Sequence, residues 1–354
     1  MFIAIRTDAS TDIGTGHVMR CLTLAEALRE RGHEVEFICR SHPGNLQSHI
    51  AAQRFNVNML PSPTSAADDD ALSHAGWLGC SQQQDAIDTI EALNGRQTDW
   101  LITDHYALDH CWHQSLRGHA QRIMVIDDLA DRVHDCDLLL DQNYVVDMDT
   151  RYRGLIPDAC RMLTGHRYSL LRQEFLRARE HAQVRRSLNK VLVFFGGVDQ
   201  HGLTMRALDA LQGLDLEVTV IAGNSNLRAD EIEARCADLT SVRFHRSVDD
   251  MATQILDADL AIGGGGTTTW ERCYLGLPAI VITLAENQVP LSEAVAAAGA
   301  SVLVGDVHTT ADIIRQTLDT FITDGDRIST VSAAASELMQ DHVGAAGVTE
   351  EMER

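Results

Sequence analysis

What most constrains the fold of this chain is a rhythm. Short β-branched or apolar runs alternate with segments of helical period from one end of its 354 residues to the other. A strand covered on both faces needs a continuous apolar run, whereas the crossover helix that covers it needs one apolar stripe, so the alternation specifies parallel sheets between helices. The expected class is α/β. In the first half the strand candidates are Phe2–Arg6, Glu34–Cys39, Trp100–Asp104, Arg122–Asp127 and Cys136–Asp141. Val18, Cys21, Leu22, Ala25 and Leu28 recur at the spacing of a helix packed on a sheet. From about Asp158 to Asn189 the alternation lapses into an arginine-rich, helical stretch, and a fresh series starts at Lys190. Its strands fall at 190–195, 216–222, 242–244, 258–262 and 279–282, with helices near 203–213, 228–238, 249–256 and 268–276. The expectation is two Rossmann-like domains, 1–160 and 161–354, whose parallel sheets face a central cleft, consistent with roughly 150 residues per domain. Pro61–Asp70, which ends in three aspartates, reads as a surface loop, and the tail Val343–Arg354 as frayed or lightly docked.

Composition narrows the function. Twenty-nine basic against 51 acidic residues leave a net charge of −22, which repels phosphate backbones at long range and argues against a nucleic-acid binder. An anionic ligand must then be held by local donors. Only one basic residue is a lysine, Lys190, and it opens a strand-like run, which leaves Schiff-base chemistry a single carrier. The eight cysteines show no C-x-x-C pair and no zinc-ligand spacing, and read as reduced, mostly buried thiols. The apolar start Phe2–Ile5 reads as a first strand, not a signal peptide, and no apolar run approaches the roughly 20 residues of a membrane span. These features describe a cytoplasmic protein, expected to be a monomer without cofactor or metal.

Ligands of open parallel sheets bind beyond the carboxyl ends of the strands. The first such loop runs from Thr7 to His17 and contains Asp8, Asp12, Gly14 and Gly16. Its glycines let backbone approach a ligand, and the helix starting near His17 directs N–H groups at it. A histidine there is disfavoured as imidazolium and poised as a general base; the plain alternative is a residue that caps or packs. Asp8 or Asp12 could orient its ring, Asp12 reading more simply as a turn carboxylate. A dinucleotide fingerprint fails for want of a third glycine, and no Gly-Lys pair exists for a P-loop. In the second half a buried strand enters Gly263-Gly264-Gly265-Gly266 and leaves through Thr267-Thr268-Thr269 toward Glu271, a pattern suited to a diphosphate, with Glu271 placed to accept from a ribose diol. Gly196 and Gly197 follow another strand, and Asn287 and Gln288, which could read sugar hydroxyl and amide groups, a third. Asp104-His105-Tyr106 and Asp127-Asp128 end strands at the corresponding edge of the first half; the two adjacent aspartates point oppositely and read as structural.

With these residues in view, the chain resembles the UDP-2,4-diacetamido-2,4,6-trideoxy-β-L-altropyranose hydrolases of the pseudaminic acid pathway. The resemblance lies in Arg6–Ser10 with Ile13–Cys21, in Ile126–Arg132, in Tyr168–Phe175, in Gly196–Asp199, and in Gly264–Glu271 followed by Glu286-Asn287-Gln288. More widely it is similar to inverting glycosyltransferases of two Rossmann-like domains. The resemblance implies His17 as general base, Asp8, Gly14, Gly16, Arg20 and Tyr106 around the substrate, Arg172 at phosphate or uracil, Glu271 at ribose, and Asn287 and Gln288 at the sugar. It also implies hydrolysis of a small-molecule UDP-sugar at its anomeric carbon with inversion, without metal. One position departs: where the family tends to carry asparagine before Leu-Thr, this chain has Gly202. The rival functions are a glycosyltransferase and a nucleotide-sugar binder without turnover.

Overall fold

A computed structural model describes residues 1–62, 72–223, 226–239 and 241–354. Most of the expected loop Pro61–Asp70 lies outside the described residues. The first series of elements is β1 (Phe2–Thr7), α1 (Gly16–Glu30), β2 (Glu34–Arg40), α2 (Gln47–Ala52), β3 (Asn56–Leu60), α3 (Gln82–Ala92), β4 (Thr98–Asp104), α4 (His110–Leu116), β5 (Ala120–Ile126), β6 (Leu138–Asp141) and β7 (Arg161–Thr164). Its seven strands form a parallel sheet in the order β3-β2-β1-β4-β5-β6-β7. Ile3 and Ile5 of β1 face the stripe of α1 (Val18, Cys21, Leu24, Leu28) on one side. Ala4 faces Trp112 and Leu116 of α4 on the other.

The second series is α5 (Gln173–Ala178), β8 (Lys190–Phe194), α6 (Leu203–Leu211), β9 (Glu217–Ile221), α7 (Ala229–Ala237), β10 (Val242–His245), α8 (Met251–Asp257), β11 (Leu260–Gly264), α9 (Thr268–Tyr274), β12 (Ala279–Ile282), α10 (Val289–Ala297), β13 (Val302–Gly305), α11 (Ala311–Thr323) and α12 (Arg327–Leu338). Its parallel sheet runs β10-β9-β8-β11-β12-β13. In both sheets the strand order reverses beside the first strand, at β1/β4 and at β8/β11, the point at which open α/β sheets bind their ligands. The α/β class is as expected. Among the described residues no helix is long and apolar enough to cross a membrane.

Two compact units result, 1–170 with 343–354, and 171–342. The boundary therefore lies at 170 rather than 160, because β7 pairs with β6 and extends the first sheet. The tail also departs from expectation. It forms a last helix, α13 (Gly344–Glu353), whose Val348 and Met352 are buried in the first unit's core. Trp100 Nε1–H donates to the Met352 carbonyl at 3.1 Å, and Arg161 and His33 pair with Glu351 and Glu353. Apolar residues four apart, Val348 and Met352, give this helix a face to bury, which offsets the entropy that would otherwise fray it. Gly202, the departure from the resembled family, has φ +66° at the start of α6.

Candidate active site

In the first unit the loop after β1 is closed by its own hydrogen bonds: Ser10 Oγ accepts from the backbone of Asp12 and Ile13, and Gly14 N–H donates to Ser10 O at 2.9 Å. Gly14 has φ +80°, a turn requirement, but Gly16 has neither positive φ nor a neighbour that an added Cβ would meet. That open space lies one residue before His17. His17 itself is 7% exposed, and its Nδ1 lies 2.6 Å from Asp104 Oδ1. The orienting carboxylate is thus neither Asp8 nor Asp12. Asp104 closes β4, the strand that neighbours β1 where the order reverses, and so reaches a ring on the first turn of α1.

Arg20, one turn further along α1, donates to both oxygens of Asp104 at 2.6 Å and to Asp128 Oδ2 at 2.9 Å. Burial alone would raise the pKa of Asp104, but the Arg20 guanidinium and His17 beside it hold the carboxyl well below its usual range. An ionised Asp104 accepts from Nδ1–H, fixing the tautomer whose Nε2 carries the lone pair. Nε2 has no hydrogen-bond partner among the described residues. Tyr106 completes the cluster: its hydroxyl donates to Asp128, and its ring meets His17 edge-on with centroids 4.6 Å apart. Burial and Asp128 push that phenol upward in pKa, so it stays protonated. Trp77 stacks on Tyr106 at 5.6 Å and His74 meets both rings edge-on, which walls one side of His17 with aromatic surface.

Asp8 lies elsewhere. Fully buried, it is ion-paired to Arg6 at 2.7 Å and accepts from Arg40 N at 2.6 Å, with His105 Nε2 at 3.4 Å and His42 Nε2 at 3.6 Å. Asp127 and Asp128 do point apart. Asp127 turns inward to Arg132 at 2.8 Å and to the Tyr152 hydroxyl at 3.0 Å, and reads as structural. Asp128 turns to Arg20 and Tyr106, beside His17.

In the second unit three turns follow β8, β11 and β12. A Cβ on Gly263 would lie 2.4 Å from Phe194 O, on Gly264 2.9 Å from Leu284, and on Gly265 2.2 Å from Ser292 Oγ. Close packing of β11 against the β8 backbone therefore demands glycine at 263, whereas at 264 and 265 the neighbours are the side-chain ends of Leu284 and Ser292. Gly266 is different: the nearest atom to its added Cβ is Gln288 Nε2 at 3.5 Å. Gln288 Oε1 accepts from Leu284 N at 2.9 Å, and this bond holds its amide nitrogen at the turn. Gly196 (φ +85°) and Gly197 likewise leave open space, while Gly223 from the loop after β9 packs directly on their backbone. Thr267 and Asn287 are exposed and Thr268 half-buried. Glu271 is paired with Arg172, Nη2 to Oε1 at 3.1 Å, and Arg172 also reaches Glu174 at 3.0 Å. Burial raises the Glu271 pKa against the pull of Arg172. Its Oε2 remains for another donor.

Residues 191–345 match the model of the glycosyltransferase family 28 C-terminal domain. Curated relatives include an uncharacterized protein of Methanocaldococcus jannaschii, 26% identical over 304 residues and 81% of this chain, of whose length the chain spans 57%. The UDP-2,4-diacetamido-2,4,6-trideoxy-beta-L-altropyranose hydrolase of Campylobacter jejuni is 25% identical over 231 residues, covering 64% of this chain and 72% of that protein. Among solved structures, MurG of Acinetobacter baumannii aligns with a TM-score of 0.68 at 15% identity over 99% of both chains, a likeness of fold. The chain has the glycosyltransferase-B fold, and its residues 191–345 are similar to the family 28 C-terminal domain.

Of the residues that the sequence named, the structure gathers His17, Arg20 and Tyr106 in one cluster, and Gly264–Thr268, Glu271, Arg172 and Gln288 near one turn. Sequence reading missed Asp104 as the ring's partner, Asp128, Trp77 and His74. A carboxylate ending the strand that neighbours β1 is a signal for Asp104. Trp77 carries none, since a lone tryptophan in an irregular segment has no period to betray its face.

Proposed function

We propose that the chain hydrolyses a UDP-activated 2,4-diacetamido-2,4,6-trideoxy sugar, of the β-L-altro configuration, at the anomeric carbon. The observation that carries this reading is the buried His17–Asp104 pair with Nε2 left unpartnered. Nε2 takes a proton from water, and the hydroxide attacks the anomeric carbon opposite the nucleotide. The bond from that carbon to the phosphate oxygen breaks, its electron pair leaves with UDP, and the sugar is released with inverted configuration. Asp104 stabilises the imidazolium formed. Negative charge growing on UDP is met by backbone N–H groups at Gly264–Gly266 and Gly196–Gly197 and by the hydroxyls of Thr267 and Thr268, so no step calls for a metal. Glu271 Oε2 accepts from the ribose diol, and Asn287 and Gln288 read the sugar.

The Campylobacter hydrolase supports water as the acceptor, whereas the family 28 match favours a second reading, an inverting glycosyltransferase that passes the sugar to an acceptor hydroxyl. A panel of UDP-sugars followed by UDP release and by NMR of the anomeric product separates the two. Hydrolysis gives a free sugar of inverted configuration, with ¹⁸O from labelled water in the sugar. Label in UDP, or turnover only when an acceptor is added, overturns the hydrolase.

A further inference from the structure

Arg272 is 4% exposed, and among the described residues no carboxylate pairs with it. Glu271, its neighbour in sequence, is engaged by Arg172. The guanidinium turns back toward the glycine-rich turn: Nη2 donates to Gly264 O at 2.9 Å and to Thr269 Oγ1 at 3.2 Å, and Nη1 to Thr268 Oγ1 at 3.3 Å.

The same unit contains a useful contrast in Arg185. It too is buried with no carboxylate paired to it among the described residues, yet its donors go to the carbonyls of Gln183, Ile255, Ala258 and Leu275. Those last three are C-terminal carbonyls of α8 and α9 and the residues just beyond, which carry partial negative charge. Arg185 is electrostatically answered by the backbone. Arg272 meets one carbonyl and two hydroxyls. A hydroxyl that accepts from a guanidinium keeps its own hydrogen to donate, so Thr268 and Thr269 are turned into donors. The Gln288 amide nitrogen, held at Gly266, is a donor as well. The turn thus gathers donors from Thr268, Thr269 and Gln288 around a buried cation that no carboxylate pairs with among the described residues, and such a cation is costly.

We propose that Arg272 is the buried counter-charge for the phosphoanhydride of the ligand at the Gly264–Thr268 turn, acting through the turn rather than by capping it. The ligand's identity as UDP rests on the function proposed above; the role of Arg272 requires only a pyrophosphate group. Arg272 is thereby a positioning residue whose positive charge sets anion affinity and polarises the threonine hydroxyls toward the phosphates.

Calorimetric titration of the full chain with inorganic pyrophosphate and with UDP tests this on Arg272→Gln and Arg272→Lys. Loss of the charge in Arg272→Gln should weaken both ligands by about tenfold or more, while Arg272→Lys, which keeps the charge but not the planar fork, stays within about threefold of wild type. A merely structural role requires the fork, so a Lys variant as weak as the Gln variant overturns the proposal. So does unchanged affinity in Arg272→Gln, or a wild type that binds neither ligand. Should Arg272→Gln fail to fold, the Lys variant alone decides by the same threefold and tenfold outcomes. A wild type that binds pyrophosphate but not UDP, with the Gln variant losing pyrophosphate, leaves Arg272 in its role and removes the nucleotide-sugar reading.

Discussion

In the proposed reaction His17 serves as base because of where its other nitrogen points. Asp104 holds the Nδ1 proton, and Arg20 keeps Asp104 ionised, so the lone pair is delivered at Nε2. His17→Asn should lower turnover by roughly 10²–10⁴-fold while leaving UDP affinity within threefold, since a base contributes to the step and not to the nucleotide. Steady-state kinetics beside a UDP titration checks this; retained turnover sinks the assignment. A second residue titrates where stability can be followed. Asp141 is 2% exposed, and burial, together with Asp128 and Asp127, raises its carboxyl to about 7 against Arg151 and the Asn143 N–H. Unfolded, the group titrates near 4, so between about pH 4 and 7 the folded chain holds a proton that the unfolded chain has released. Its contribution to stability therefore falls as pH rises through that window and is level above it. Asp141→Asn should flatten this part of a urea-stability profile measured from pH 4 to 8, and an unchanged slope would count against the raised carboxyl. The sequence showed Asp104, Asp127 and Asp128 as strand-end carboxylates but could not assign partners, because which carboxylate meets His17 depends on strand order and not on separation along the chain.

At the scale of elements, the four-glycine run divides by physical cause. Gly263 has no room for a Cβ because the β8 carbonyl of Phe194 is 2.4 Å away, whereas Gly266 has room. Gly263→Ala should destabilise the second unit by about 1–3 kcal/mol, the usual cost of overpacking against backbone. Gly266→Ala should melt with wild type yet bind UDP about tenfold more weakly if the space above it belongs to phosphate. Melting curves and titrations of the two variants decide the matter; a destabilised Gly266→Ala with normal UDP affinity would reverse the roles. The central strands stand out as apolar runs, while β3, β7 and β13, absent from the pattern, are all edge strands. An edge strand such as Asn56–Leu60, exposed at its start and half-buried through its middle, has no need of a continuous apolar run.

At the scale of the molecule, connectivity is asymmetric. Unit 171–342 is one continuous stretch, whereas the first unit needs residues 343–354 to complete it. A fragment spanning 171–342 should fold alone and retain UDP binding, while 1–170 should not fold without α13, whose loss exposes the Val348 and Met352 contacts and leaves Trp100 Nε1 without its acceptor. Circular dichroism and titration of the two fragments test this, and a well-folded 1–170 would contradict it. By itself the sequence determined the α/β class, the central strands, His17 at a helix start and the glycine-rich turn, because periodicity and turn chemistry are local properties that neighbouring residues impose on one another. Only the tertiary structure decided that Asp104 meets His17, that Asp128 joins Arg20, that Glu271 is held by Arg172, that no carboxylate among the described residues pairs with Arg272 and that the tail is a core helix. Each of these is a pairing across a sheet or between turns, and such pairings are fixed by strand order and by what remains to be buried once the sheet has formed.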